Sequence, residues 1–108
     1  MRPKTQTATI AINETESSAI ELDGDSRLVG LYLPASLTST AMSFKVSHDN
    51  STFVTLYDEG ASYNITVAAS RYIALKPAAF VGARWVKLVA GSAEAAARSI
   101  VVAKSEVA

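Results

Sequence analysis

The sequence predicts an all-β fold, namely a two-sheet antiparallel sandwich of jelly-roll type with about eight or nine short strands. Stretches rich in β-branched and aromatic residues recur at short intervals, and clusters of Asp, Gly, Ser, Asn and Pro separate them. Amphipathic stretches of helical length are absent from the sequence. The stretches that fit strands are residues 7–12, 19–22, 27–33, 42–47, 53–57, 63–67, 72–75, 84–90 and 99–103.

The order of apolar and polar residues within these stretches supports the assignment. In a strand, successive side chains point to opposite faces of the sheet. In residues 42–47, Phe44 and Val46 face one side and polar side chains face the other, and residues 63–67 repeat the arrangement. Residues 84–90 carry apolar side chains on both faces, which predicts a central strand.

A chain of 108 residues is long enough for one hydrophobic core and too short for two domains. We predict a single β-sandwich domain over residues 7–108 and an N-terminal arm over residues 1–6. The arm is either disordered or lies along a neighbouring subunit. The alanine-rich residues 93–98 fit either a short helical turn or a flexible loop.

Composition excludes several classes of function. Ten Lys and Arg residues balance ten Asp and Glu residues, so no net field draws the protein to nucleic acid or to an anionic membrane, and we expect neither partner. The absence of cysteine excludes disulfides, a thiolate nucleophile and cysteine-ligated zinc. Because the sequence has neither an apolar signal core nor about 18 consecutive apolar residues, we expect a soluble protein made without export.

The titratable residues do not form a catalytic pattern. His48 is the sole histidine, and Asp49 follows it in a predicted turn, where neighbouring side chains seldom aim at one point. The carboxylates at Asp23, Asp25, Asp58 and Glu59 could pair across loops as in a glycosidase, but they are residues that turns use in any case. The glycines stand singly and form no phosphate-binding loop. We therefore expect no enzymatic activity, no catalytic residue and no cofactor.

Two turn segments contain oxygen ligands of the kind that calcium prefers. Residues 23–26 and 49–51 resemble fragments of calcium loops, although the full EF-hand pattern is missing. Solvated turns explain the same residues, and we predict no metal site while a structural calcium stays an open alternative. A transition-metal site would need a cluster of His or Cys residues, which this composition does not supply.

Five aromatic residues are candidates for a sugar-stacking platform, since their flat rings suit the apolar face of a pyranose. They are Tyr32, Tyr57, Tyr63, Tyr72 and Trp85. Aromatic residues are also common in strands as ordinary packing elements. Carbohydrate binding is accordingly the alternative function that the aromatic residues indicate.

Three segments together carry a resemblance to a known group of proteins. They are residues 44–53 with Phe-x-x-Ser-x-Asp, residues 71–77 with Arg-Tyr-Ile, and residues 84–88 with Arg-Trp-x-Lys-Leu. In this order they resemble small β-sandwich virion proteins of tailed bacteriophages. The arrangement is also similar to galactose-binding-type jelly rolls, which indicates a sandwich shape more than one function.

The resemblance implies a non-enzymatic structural protein of a phage virion. Its expected role is a decoration (cement) protein on the capsid surface, made in the host cytoplasm, which stabilises the head by binding the major capsid protein and copies of itself. The alternative role is a tail or fibre adhesion module that binds a host glycan. The residues that we expect to contact partners are Arg2, Pro3, Lys4, Phe80, Arg84 and Arg98. Phe80 equally fits an anchor that packs on its own sheet.

Overall fold

The computed structural model describes residues 3–22, 26–80 and 82–106, and it confirms the predicted all-β antiparallel sandwich. The strands are β1 Pro3–Ile10, β2 Ile20–Glu21, β3 Ser26–Tyr32, β4 Ala41–Ser47, β5 Val54–Thr55, β6 Tyr57–Asp58, β7 Ala61–Ser62, β8 Ile65–Thr66, β9 Tyr72–Ala74, β10 Trp85–Ala90 and β11 Arg98–Glu106. The first sheet has the order β1-β11-β3-β9. The second has the order β2-β10-β4-β5, with β8 also paired to β4, while β6 and β7 form a separate hairpin.

Each predicted strand stretch contains at least part of a strand, and β10 is central in the second sheet as predicted. The first strand differs from the prediction because it begins at Pro3 and not at residue 7. Residues 3–6 of the predicted arm therefore belong to the first sheet, where they pair with β11. The arm prediction overlooked that Gln6 and Ala8 continue the alternation that buries Ala8 and Ile10.

Residues 93–98 do not form a helix, so of the two predicted alternatives the structure has the loop, which leads into β11. A short 3₁₀ helix occurs instead at Pro77–Phe80, a segment in which we predicted no helix. Its last residue, Phe80, is buried. Among the described residues, no helix has the length and apolar character that crossing a membrane requires.

Apolar side chains from both sheets meet in one core. Phe44 on β4 occupies its middle, where its ring contacts Phe80 edge-on at 5.3 Å between centroids and stacks on Tyr63 at 5.5 Å. The hydroxyl of Tyr63 accepts a hydrogen bond from the backbone N–H of Lys76 at 3.1 Å, so the one polar atom of this cluster has a partner. The buried hydrophobic residues include Ala8, Ile10, Ile20, Leu22, Leu28, Leu31, Met42, Phe44, Phe80, Val86, Leu88, Ile100 and Val102.

A β-bulge in β3 changes which of its side chains face the core. Leu28 pairs with Lys104 and Gly30 with Ala103, so Val29 is an extra residue on this strand. Before the bulge Leu28 points inward, and after it Leu31 points inward. Because a shift of one residue exchanges the two faces of a strand, Tyr32 at the end of β3 lies on the outer surface.

Glu94 joins three connections that cross between the sheets at one end of the sandwich. The crossovers are residues 11–19, 33–40 and 91–97. The Glu94 carbonyl accepts a hydrogen bond from the Asn13 N–H at 2.8 Å, and the Glu94 N–H donates to the Glu14 carbonyl at 3.2 Å. A residue of the third crossover thus holds the first one in place.

The Glu94 side chain binds the second crossover. The carboxylate is fully buried and accepts hydrogen bonds from the Thr38 N–H at 2.8 Å, the Ser39 N–H at 3.0 Å and the Ser39 hydroxyl at 2.6 Å. Arg98 completes the set through its Nε at 2.9 Å. Burial alone raises the pKa of Glu94, but the hydrogen bonds from Ser39, Thr38 and Arg98 outweigh it and lower the pKa to about 2.

Lys104 has a comparable role at the opposite end of β11. The side chain is buried, and its ammonium group donates to the Glu21 carbonyl at 2.8 Å and to Gln6 Oε1 at 3.1 Å. A buried ammonium group needs such partners because desolvation would otherwise be costly. The inner strand β11 is therefore held at its start by the crossovers, through Arg98 and Glu94, and near its end by β2 of the second sheet, through Lys104.

Replacing Glu94 with glutamine is expected to lower the free energy of unfolding at pH 7 by on the order of 3 kcal/mol, because Arg98 loses its charged partner in a buried site. In the unmodified protein, the depressed pKa means that the contribution of this carboxylate is complete above its ordinary pKa of 4.5 and is lost as the pH falls towards 2. Urea unfolding curves at pH 7, 4 and 2.5 measure both effects.

Glu59→Gln is the matched control, since the Glu59 side chain is 85% exposed. We expect this variant to retain the stability of the unmodified protein at pH 7. We expect Glu94→Gln to show a weaker loss of stability between pH 4 and 2.5 than the unmodified protein shows. Equal urea midpoints for the two variants at pH 7 would contradict the role assigned to Glu94.

Candidate binding surface

The two outer faces of the sandwich differ in charge. On the second sheet, Glu16 pairs with Lys45 at 2.6 Å and with Lys87 at 3.8 Å, and the Lys87 ammonium lies 4.5 Å from the centre of the Phe53 ring. The hydrogen bond from Lys45 is the main reason why the pKa of Glu16 is lowered. The charges on this face are paired with one another, so few of them are available to form ion pairs with a partner.

The outer face of the first sheet carries no charge over its central part. The outward side chains follow from the strand register and from the alternation with buried residues. We call this surface the tyrosine face, and it consists of Thr5, Thr7, Thr9, Gly30, Tyr32, Tyr72, Ala74, Ser99, Val101 and Ala103. Arg27, which pairs with Ser105, is a charged residue at its margin.

Tyr32 and Tyr72 are the largest side chains of the tyrosine face. They lie opposite each other on β3 and β9, with ring centroids 4.6 Å apart and ring planes at 49°. Their exposed fractions are 51% and 47%, so both rings present apolar area to solvent while they pack on each other. The Tyr72 hydroxyl donates to the Val29 carbonyl at 3.4 Å, which orients this ring across the bulge.

Gly30 provides the space in which the Tyr72 ring lies. A Cβ atom at this position would overlap the hydroxyl end of Tyr72, so only glycine lets the ring rest on the backbone of β3. The bulge and the glycine together determine the position of the aromatic pair. Hydroxyl groups from Thr5, Thr7 and Thr9 border the pair across β11, and they add hydrogen-bonding capacity without charge.

A separate concavity lies between β4, β5 and the 3₁₀ helix. Its volume is about 380 Å³, and its walls are largely apolar. The residues that line it are Val46, Ser47, His48, Thr52, Val54, Leu56, Ala79, Gly82 and Ala83. His48 is its one titratable lining residue among those described, so this cavity lacks the second acid–base group that a catalytic pair would need.

The Asp49 side chain stabilises the turn in which it lies. Its carboxylate accepts hydrogen bonds from the N–H groups of Thr52 and Ser51 and from the Ser47 hydroxyl. These bonds, the Thr52 contribution being the largest, lower the pKa of Asp49 to about 2. The other half of the calcium alternative, residues 23–25, lies outside the described residues. Within residues 3–22, 26–80 and 82–106, no three His, Cys, Asp or Glu side chains gather as metal ligands.

The structure does not bring the predicted contact residues together. Arg2 lies outside the described residues, and Pro3 and Lys4 are part of β1. Arg84 is exposed and lies 3.6 Å from Glu21 on the charged side of the sandwich.

Two of the predicted contact residues are internal. Phe80 is 1% exposed, so the expectation of a partner contact there is wrong and the anchoring alternative holds. Its ring packs on Phe44 and Tyr63 because the 3₁₀ helix directs it inward. The Arg98 side chain is 15% exposed and is engaged by Glu94, which gives it a structural role.

Of the five aromatic residues proposed as a platform, the structure brings Tyr32 and Tyr72 together. Tyr63 is partly buried and packs against the core, and Trp85 lies half-buried on the second sheet. Tyr57 is 64% exposed on the separate hairpin. Sequence reasoning named both tyrosines of the pair, but it missed the uncharged strands that surround them.

Comparison with known proteins gives a likeness in fold. No family model matches the chain, and no curated protein matches it. The SPBc2 prophage-derived protein YomS is similar in structure, with a TM-score of 0.61 and 13% identity over 97% of this chain and 96% of that one. The Yersinia pseudotuberculosis-derived mitogen YPM aligns over 98% and 86% of the two chains at 15% identity, but its TM-score of 0.38 does not establish a shared fold.

Gly30→Ala tests the packing of the tyrosine pair. The added methyl group is expected to displace the Tyr72 ring from β3, which separates it from Tyr32 and changes the near-ultraviolet circular dichroism of the tyrosines. In a Tyr72→Ala background the same substitution meets no ring, and we expect it to be neutral or slightly stabilising, as alanine loses less backbone entropy than glycine. The double-mutant cycle should yield a coupling of about 1 kcal/mol. Strict additivity would contradict the described packing.

Proposed function

We propose that this protein is a non-enzymatic structural component of a tailed-bacteriophage virion, and that it decorates the capsid by laying its tyrosine face on the major capsid protein. The observation that carries the proposal is the contrast between the two outer faces. One presents paired charges, and the other presents an exposed tyrosine pair within an uncharged surface four strands wide. The centres of protein interfaces are depleted in charge and enriched in tyrosine in the same way.

The fold supports a phage context for this contact. YomS derives from a prophage and shares the architecture over nearly the full length of both chains. A sandwich of two packed sheets suits a subunit whose task is to present a rigid surface. The major capsid protein would then be the partner, and the site of action would be the outer surface of the head after synthesis in the host cytoplasm.

The size of the tyrosine face sets the strength of a single contact. Four strands about 4.8 Å apart and outward residues spread over about 14 Å along each strand give a surface of roughly 300 Å². A stable pairwise interface buries about 800 Å² on each partner. A single copy therefore binds weakly, and a capsid lattice compensates by offering many equivalent sites to linked copies.

The non-enzymatic part of the proposal rests on how the titratable groups are used. The Asp49 carboxylate accepts hydrogen bonds within its own turn, the Glu94 carboxylate accepts them from Thr38, Ser39 and Arg98, and Glu16 is paired with lysines. Among the described residues that line its cavity, His48 has no acid–base companion. These groups stabilise turns and crossovers, which leaves binding as the function best supported by the exposed surface.

Glycan binding, as in a tail or fibre adhesion module, is the second candidate. The observation that favours it is the same exposed pair, since Tyr32 and Tyr72 offer ring faces on a surface whose other edge carries the threonine hydroxyls of β1. The apolar face of a sugar packs on such rings. A glycan array probed with the labelled protein separates the two functions, because a capsid-binding protein should give no sugar-specific signal.

Co-sedimentation with purified heads of the encoding phage tests capsid binding. We expect the unmodified protein to pellet with heads, and the Tyr32→Ser/Tyr72→Ser variant to lose at least tenfold in apparent affinity, since tyrosines at the centre of an interface are enriched among the residues whose truncation costs about 2 kcal/mol or more. Because the contact is uncharged, raising the salt from about 50 to 500 mM should change the bound amount by less than about twofold.

Tyr57→Ser is the matched control for that experiment, since it removes an exposed tyrosine from a different part of the molecule. Its binding to heads should equal that of the unmodified protein, and thermal melts should show all three proteins folded. Capsid binding would be refuted if the unmodified protein stayed in the supernatant. An equal loss in the Tyr57 variant would refute the assignment to the tyrosine face.

A further inference from the structure

Strand β1 forms an edge of the first sheet, and among the described strands only β11 pairs along its length. It pairs with β11 from Pro3 to Ile10. On the opposite side, the described backbone contacts of β1 lie at its far end. There the Ser18 N–H donates to the Thr9 carbonyl at 3.0 Å, the Thr9 N–H donates to Ser18 Oγ at 3.2 Å, and Ile10 forms a bridge with Ser17.

These contacts show which backbone groups of β1 point away from the sheet. In an antiparallel ladder the N–H and C=O of one residue point to the same side, and the side alternates along the strand. Since the backbone of Thr9 points outward, the backbones of Thr5 and Thr7 do so as well. Lys4, Gln6 and the other even-numbered residues use their backbone groups in the ladder with β11. An exposed row of this kind is a template for pairing with another strand.

We propose that two copies of this chain pair antiparallel through β1, with residues 3–7 of each copy centred on Thr5. The two four-stranded sheets then become one eight-stranded sheet with a two-fold axis at Thr5. Four backbone hydrogen bonds join the copies. Each Thr5 N–H donates to the Thr5 carbonyl of the other copy, and each Thr7 N–H donates to the other copy's Pro3 carbonyl.

The limits and the charge of the free edge favour a second copy as the occupant. At one end Pro3 has no N–H to donate, and at the other end Ser18 already covers Thr9. Between these limits, the outward backbone donors and acceptors of residues 3–7 are complementary to those of the same residues in a second, antiparallel copy. In this register Lys4 lies opposite the neutral Gln6 of the second copy, and two chains of zero net charge do not repel each other.

Pairing also extends the surface assigned to capsid binding, and in this respect the inference rests on the proposed function. The side chains of Thr5, Thr7 and Thr9 belong to the tyrosine face, so the faces of the two copies become continuous across the shared edge. The combined area is roughly 600 Å² if each copy contributes roughly 300 Å². A pair of copies thereby approaches the size of a standard interface on one partner.

Proline substitutions at the outward positions test the pairing. Thr5→Pro and Thr7→Pro remove N–H groups that point away from β11 and leave the internal ladder intact. In sedimentation-velocity runs we expect the unmodified protein to be a dimer, and each variant to show at least a tenfold higher dissociation constant. Thr7→Val keeps the N–H and the branched shape, so it should dimerise as the unmodified protein does. Thermal melts report whether each variant is folded.

Cysteine cross-linking tests the register and does not depend on the proline variants. The chain contains no cysteine, so one introduced thiol gives an unambiguous signal. Thr5→Cys places two thiols opposite each other across the axis, and mild oxidation should convert most of the protein to a disulfide-linked dimer. In Thr9→Cys the thiols are about 27 Å apart along the strands, at about 3.4 Å for each residue, and should not react.

The outcomes for pairing and for capsid binding are separable because the first is measured without heads. A monomer at all concentrations, dimeric proline variants, or equal cross-linking at positions 5 and 9 overturn the pairing. A dimer that loses association in both proline variants and cross-links at position 5 supports it, even if the protein ignores heads. A monomer that binds heads overturns the pairing and leaves the proposed function standing.

Discussion

The arrangement of the two sheets depends on the hydrogen bonds of Glu94, whose carboxylate is buried. Three crossovers meet at this residue, two of them through its backbone and side-chain hydrogen bonds and the third because it contains the residue. A chain without cysteine cannot fasten these segments covalently. Burying a charge is costly, and the four donors supplied by Thr38, Ser39 and Arg98 offset that cost. With the crossovers fixed, the strands can be short and still close over one core.

The outer surface depends on a second local constraint, the bulge in β3. Without Val29 as an extra residue, strict alternation from Leu28 would place Tyr32 in the core and Leu31 in solvent. The bulge reverses this order, and Gly30 then provides the flat backbone on which Tyr72 rests. Two adjacent residues of one strand therefore account for both the buried leucines and the exposed aromatic pair.

The sequence predicts the fold class and the strands well, because alternation and turn residues are local signals. Residues 84–90 illustrate this, since apolar area on both faces identified a central strand. Glu94 could not be predicted in the same way. Its partners Thr38 and Ser39 are more than 50 residues distant in the chain, and an alanine-rich segment gives no sign that one glutamate is buried.

Only the tyrosines of the candidate surface could be predicted from the sequence, for a related reason. The tyrosines were recognisable as aromatic residues, but the neutral strands around them become one surface only through the strand order β1-β11-β3-β9, which is not a local property. The same order explains why β1 was mistaken for an arm, because residues 3–6 gain their partners from the other end of the chain. A single long-range pairing thus creates both the uncharged face and the open edge beside it. The threonines of β1 belong both to the tyrosine face and to the open edge. A strand that pairs with this edge would therefore also extend the tyrosine face.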